Sequence, residues 1–105
     1  MTIDDYLTMM RESFQPDRAR DACAVFQYEF TGSQDGICHV VVDAGELRAA
    51  RGSHPNPTAT VRTDFDLWLR ILAYEADALL LYQGGVYDAT GDVETLMIAD
   101  TWFKR

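Results

Sequence analysis

Residues 59–72 read Ala59-Thr60-Val61-Arg62-Thr63-Asp64-Phe65-Asp66-Leu67-Trp68-Leu69-Arg70-Ile71-Leu72. The first five alternate as a half-buried strand does. Asp64 is a good helix N-cap, because its carboxylate accepts from an orphan backbone N–H of the first turn. Phe65, Trp68, Leu69 and Leu72 then fall at i, i+3, i+4 and i+7, one face of a helix, and Leu67 and Ile71 widen that face. Glu75-Ala76-Asp77 breaks the chain into a second helix over 78–83, which contains Leu79-Leu80-Leu81-Tyr82 and ends at Gly84-Gly85. Tyr87 and Ala89 point inward from a fifth strand, with Asp88 outward. Gly91 turns, Asp92 caps, and Leu96, Ala99, Trp102 and Phe103 form the inner stripe of a last helix. The two caps, Asp64 and Asp92, contribute about 1 kcal/mol each. Nothing in this third of the chain has the look of a catalytic centre. It reads as a means of covering one face of a sheet with apolar helices.

The sheet itself is written upstream. Residues 24–30 alternate, with Phe26, Tyr28 and Phe30 on one face and Val25, Gln27 and Glu29 on the other. Thr31-Gly32-Ser33-Gln34-Asp35-Gly36 is a turn. Residues 37–43 return, with Cys38, Val40 and Val42 facing the aromatic stripe. A hairpin about 33–35 sets Cys38 near Glu29 and Cys23 near Ala44, too far apart in space for a disulfide. Both thiols are expected to be buried and to act as small hydrophobes. Ala44-Gly45 makes a tight turn into a third, more polar strand over 46–51, with Leu47 and Ala49 inward. Gly52-Ser53-His54-Pro55-Asn56-Pro57 is a surface loop, with His54 solvated, and the strand at 59–63 continues the meander. At the start of the chain, Thr2 and Asp5 form a capping box ahead of a helix with Ile3, Tyr6, Leu7, Met10 and Phe14 on one stripe. Pro16 opens a short second helix through residue 21. The expected fold is an α/β arrangement of the α+β type: one five-stranded, mostly antiparallel sheet with helices on one face.

A chain of 105 residues is one domain, and it can bury roughly two-thirds of its unfolded surface. Hydrophobic content of 48% and charged content of 25% are those of a soluble globular protein. The start, Met1-Thr2-Ile3-Asp4-Asp5, lacks the basic-then-apolar order of a signal peptide, so a cytoplasmic location is expected. Acidic residues outnumber basic ones 17 to 9, and the net charge is −8. Binding to nucleic acid needs clustered Lys and Arg, and Lys104 is the only lysine. The same balance limits contact with anionic membranes to transient encounters. Two cysteines and two histidines are not spaced as ligands on one element, so no metal and no cofactor is expected.

Taken in order, these features resemble the sterol carrier protein-2 (SCP-2) family. The matching residues are Phe14-Gln15-Pro16-Asp17-Arg18-Ala19, Phe26-Gln27-Tyr28-Glu29-Phe30 and Asp43-Ala44-Gly45. They continue with Asn56-Pro57-Thr58-Ala59-Thr60-Val61-Arg62-Thr63-Asp64, Trp68-Leu69, and Gly85 through Gly91-Asp92. The resemblance implies a five-stranded sheet, helices over it, and an apolar tunnel between them that binds fatty acids, isoprenoids, sterols or other lipids. On the sheet side, Phe26, Tyr28, Phe30, Val40 and Val42 would line it. On the helix side, Trp68, Leu69, Leu72, Leu80, Leu96, Trp102 and Phe103 would. No catalytic residues carry over. The chain departs from the family where Tyr74 stands in place of a usual Gly and Ala78 in place of a common Pro. It also lacks the peroxisomal tripeptide of animal members, and its shorter last helix would open the tunnel or shrink it.

Three readings follow. In the first, the tunnel holds a lipid or other apolar small molecule, and the Tyr28 or Tyr82 hydroxyl orients its head. Trp68 and Trp102 would then stand at the rim, apolar body inward and indole N–H to water. In the second, the same apolar side chains form a filled core or a homodimer interface, and the domain is a ligand-free accessory module. A pocket wall and a core are alike in sequence, since both are mostly apolar. In the third, His39 with Asp43 is an acid–base pair of a small enzyme.

Overall fold

The computed structural model describes residues 1–104. Thr2 begins the ordered chain as an N-cap. Its hydroxyl accepts from the Asp5 N–H (3.1 Å), and the Asp5 carboxylate accepts from the Thr2 N–H (2.9 Å). This reciprocal box starts helix α1, Ile3–Ser13, which buries Ile3, Tyr6, Leu7 and Met10. The helix expected after Pro16 is a single 3-10 turn, Pro16–Arg18.

Strands β1 (Cys23–Thr31), β2 (Gly36–Asp43) and β3 (Glu46–Arg51) form an antiparallel meander. In it Tyr28 pairs with Cys38 and Phe26 with Val40, one residue away from the expected register. The reason is facial. Cys38 opposite Glu29 would turn Cys38, Val40 and Val42 to the outer face, whereas the observed pairing keeps all three buried with the aromatic stripe. Cys23 pairs with Asp43 and is exposed, against expectation, because the alternation of β1 puts it on the face opposite buried Ala24, Phe26 and Tyr28. Cys38 is buried, and burial pushes its thiol up to about 12. A thiol reagent should therefore modify Cys23 alone in the native protein and both cysteines in denaturant. Two fast-reacting thiols under native conditions would contradict this burial.

Ala44 and Gly45 both take positive φ, 48° and 84°, between β2 and β3. A two-residue hairpin needs that geometry, and alanine adopts it at a cost of about 1–2 kcal/mol. An Ala44→Asn variant should accordingly raise stability by about 0.5–1 kcal/mol, read as a higher urea midpoint at unchanged slope.

The meander does not extend to the fourth strand. Strand β4, Ala59–Asp64, lies parallel to β1, from Phe26 against Ala59 to Thr31 against Asp64. The sheet order is β3-β2-β1-β4-β5, five-stranded and mixed, with β5 (Asp88–Gly91) antiparallel on β4. Polarity explains the choice. Ala59, Thr60 and Val61 are consecutively buried, as a strand covered on both faces must be, while β3 alternates and suits an edge. Residues 52–58 make the crossover and roof the outer face. There the His54 N–H donates to Gln27 Oε1 (2.8 Å), and the Thr58 N–H to the Val25 carbonyl (2.7 Å). His54 is therefore half-buried rather than solvated, with its ring 5.4 Å from that of His39. Gly91 ends β5 at φ 84°, where a Cβ would run into the Thr58 carbonyl, so glycine is needed there.

Helix α2, Phe65–Leu72, starts on Asp64, whose carboxylate accepts from the Leu67 N–H (2.9 Å). Helix α3, Ala78–Gln83, is capped by Asp77, and helix α4, Val93–Ile98, by Asp92. The expected last helix tightens to a 3-10 turn over Ala99–Trp102. Helix α1 covers β2 and β3, while α2 and α4 cover β4. Between them Tyr6 is fully buried, its ring edge-on to those of Tyr28 and Phe30 at 5.5 Å each.

Candidate functional site

The helices do not fill all the space they enclose. A cavity of about 560 Å³ lies between β1 and helices α2, α3 and α4, with the flank of α1 closing one side. Two features leave it open. Helix α3 is one and a half turns long and buries none of its residues, so it rides over the rim rather than into the core. Small residues, Ala76, Ala78 and Ala99, also stand where larger side chains would reach in.

The wall is mostly apolar: Phe26 on β1, Met10 on α1, Ile71 and Leu72 on α2, and Val93, Leu96, Ala99 and Phe103 toward the end of the chain. Its polar groups are satisfied internally. The Trp68 indole N–H donates to the Tyr6 hydroxyl (3.0 Å), which is itself hydrogen-bonded to Tyr28. Burial, and then the neighbouring Tyr28, push the Tyr6 phenol well above its ordinary range, so it stays a neutral hydroxyl. The Tyr87 hydroxyl donates to the Ala78 carbonyl (2.9 Å) and ties the strand side to the start of α3, and burial raises its pKa. At the mouth, Tyr74 stands in the left-handed region with φ 58°, and its hydroxyl donates to Asp100 Oδ2 (3.3 Å). The exposed residues Leu79, Met97, Glu75 and Asp77 complete the rim.

Of the residues singled out in the sequence, Phe26, Tyr28, Trp68, Leu72, Leu96 and Phe103 are on this wall. The others are elsewhere. Phe30 is buried off this wall and packs edge-on to Phe65 at 5.0 Å. Val40 and Val42 are fully buried in the half of the sheet that α1 covers. Trp102 is buried against Phe26, ring centres 6.1 Å apart. Leu69 is half-buried off the wall, and Leu80 is 66% exposed because α3 turns it outward. Tyr82 sits beside Tyr87, centroids 6.0 Å apart, and does not reach the cavity. Trp68 is not at the rim: it is buried, and the partner of its N–H is Tyr6, not water. Tyr6, Met10, Ile71 and Tyr87 were legible only as helix or strand stripe residues. No local signal separates a stripe that meets a packed neighbour from one that meets a void.

The pairing of His39 with Asp43 is not assembled. They lie four residues apart on β2, about 13 Å at 3.3 Å per residue. His39 Nδ1 instead donates to the Gly52 carbonyl (2.8 Å). Among the described residues no group of His, Cys, Asp and Glu is arranged to hold a metal, and no helix is long and apolar enough to cross a membrane.

No family model matches the chain, and no curated protein does. Solved structures do. The sec-alkylsulfatase Pisa1 from Pseudomonas sp. superposes with a TM-score of 0.91 at 18% identity, over 100% of this chain and 17% of that one. The chain thus spans about a sixth of the sulfatase. The UbiJ-SCP2 ubiquinone synthesis protein matches at TM-score 0.75 and 11% identity, over 94% and 90% of the two chains. Sterol carrier protein 2 like 2 from Aedes aegypti matches at 0.68 and 19%, over 94% and 91%, and that mosquito protein also has a palmitated solution structure. Sheet order, helix placement and these superpositions agree that the chain is an SCP-2-like domain in fold.

Proposed function

We propose that this domain is a non-catalytic lipid-binding module whose cavity holds the apolar body of a fatty-acyl, isoprenoid or sterol-like molecule. The observation that carries the reading is the cavity itself: about 560 Å³, apolar-walled, with its buried hydroxyls and indole already paired. That volume is within the ~300–1,000 Å³ of small-molecule sites. About ten buried methylenes at ~0.8 kcal/mol each give about 8 kcal/mol of gross affinity. After the cost of ordering the chain, micromolar or weaker binding is expected. The palmitated mosquito neighbour supports an acyl chain as one occupant.

Native mass spectrometry of the purified protein, followed by denaturing extraction, tests this. A retained mass of a few hundred daltons that partitions into organic solvent is expected. A clean apo mass, with a neutral apolar fluorophore also failing to bind, would sink the reading.

The superposition on a sixth of an alkylsulfatase favours a second reading, an accessory or dimerisation domain without a ligand. Leu79, Leu80, Val86, Met97 and Ile98 are exposed on α3, α4 and the segment after α3, and would then meet another protein surface. A mass that rises with concentration, with no melting shift on adding lipid, would favour it.

A further inference from the structure

The segment that carries α3 bonds to itself. Helix α2 closes before it, with the Glu75 N–H donating to the Arg70 carbonyl (2.9 Å). Over residues 77–86 the backbone bonds then stay inside the segment. The Leu81 N–H donates to the Asp77 carbonyl (3.1 Å), the Gly84 N–H to Leu80 (2.9 Å) and the Val86 N–H to Leu81 (2.9 Å). The Asp77 carboxylate likewise serves the Leu80 N–H (3.0 Å). Among the described residues, one hydrogen bond ties this segment to the sheet side: the Tyr87 hydroxyl on the Ala78 carbonyl (2.9 Å).

Packing holds the segment no more firmly. No residue of α3 is buried; Leu81 and Tyr82 are half-buried beneath it, and Leu80 and Gln83 face out. Each end is a joint. At the front, Ala76 makes no backbone hydrogen bond among the described residues, and Asp77 is extended (φ −84°, ψ 111°). At the rear, exposed Val86 meets buried Tyr87, whose ring is edge-on to Trp68 at 6.0 Å and stays with the core. Asp77, Ala78 and Leu79 stand on the cavity wall, so moving the segment widens the mouth. A segment whose bonds are internal moves as a unit without breaking them.

We propose that residues 77–86 are a lid over the cavity, hinged at Ala76-Asp77 and Val86-Tyr87 and latched by the Tyr87 hydroxyl, and that the latch sets how fast a ligand enters and leaves rather than how tightly it binds. The proposal rests on the lipid-binding reading and adds its gate. The latch belongs to the closed lid, empty or filled. Its loss speeds opening equally in both states and keeps the ratio of the two rates.

The test is stopped-flow fluorescence of N-phenyl-1-naphthylamine, a neutral apolar probe, on binding and on displacement by excess dodecanol. Tyr87→Phe keeps the ring and removes the latch. Both rates should rise about fivefold, the effect of one neutral hydrogen bond, with the dissociation constant within about twofold of the parent's. Ala78→Pro should act the other way. Residue 78 is the first of α3, where proline is accepted, and Asp77 already has the extended backbone that a following proline requires. The substitution keeps the carbonyl that the latch uses. Stiffening this hinge should slow both rates about threefold. A thermal melt of each variant reads whether it is folded.

Unchanged rates in Tyr87→Phe, rates that move in the same direction in both variants, or an affinity that moves in step with one rate alone would overturn the proposal. If one variant fails to fold, the other decides by itself. If the probe binds the parent and its rates ignore both variants, the lid alone fails. If the probe and dodecanol fail to bind the parent, the lipid-binding reading fails with it.

Discussion

A Phe30→Ala variant should lose about 3–5 kcal/mol of stability while its folded fraction still binds an apolar fluorophore with parental affinity. Phe30 is 2% exposed and is not on the cavity wall. Its ring meets Tyr6 and Phe65 edge-on and stacks on Tyr28 at 5.8 Å. None of these neighbours can collapse into the space without giving up its own packing, and Tyr6 must also keep the Trp68 indole. A domain of this size has about 5–15 kcal/mol in total, so the loss is a large fraction of it. A urea titration should show a lower midpoint at unchanged slope. A cost under ~1.5 kcal/mol would mean that Phe30 faces a void and belongs to the cavity after all.

The opposite outcome is expected from filling the cavity. Ala76→Trp combined with Leu96→Trp brings two indoles from opposite sides of the mouth into the open volume. Affinity for the neutral fluorophore should fall at least about tenfold, since the area it buries is already occupied. Stability should change by no more than about 1 kcal/mol, because the new rings gain contacts without displacing packed atoms. Titration of the fluorophore and a thermal melt on one sample read both effects. Unchanged affinity in a folded double variant would remove this cavity as the binding site.

The contrast between Phe30 and Leu96 measures how much of the site was legible. Both were read as tunnel lining, Phe30 from a period-two strand face and Leu96 from a helical stripe. Each does point inward. Only the position of the helices decides that Phe30 meets Tyr6 and Phe65 while Leu96 meets empty space. The same holds for Val40 and Val42, whose face was read correctly but whose half of the sheet is sealed by α1. Tyr74 was noticed as a departure from a usual glycine. The structure gives that departure its cost, a positive φ, and its consequence, an aromatic ring and a hydroxyl at the mouth.

By itself the sequence determined what depends on neighbours along the chain. The Thr2–Asp5 box, the Asp64 and Asp92 caps, the Ala44-Gly45 turn, and the inward faces of strands and helices all rest on interactions spanning one to four residues. Tertiary structure alone decided the parallel pairing of β4 with β1, the one-residue register of the hairpin and the location of the void. Those depend on which apolar face finds which partner across dozens of residues. Burial is nearly non-directional, so an inward-facing apolar side chain carries no local mark of whether packed atoms or open space will meet it.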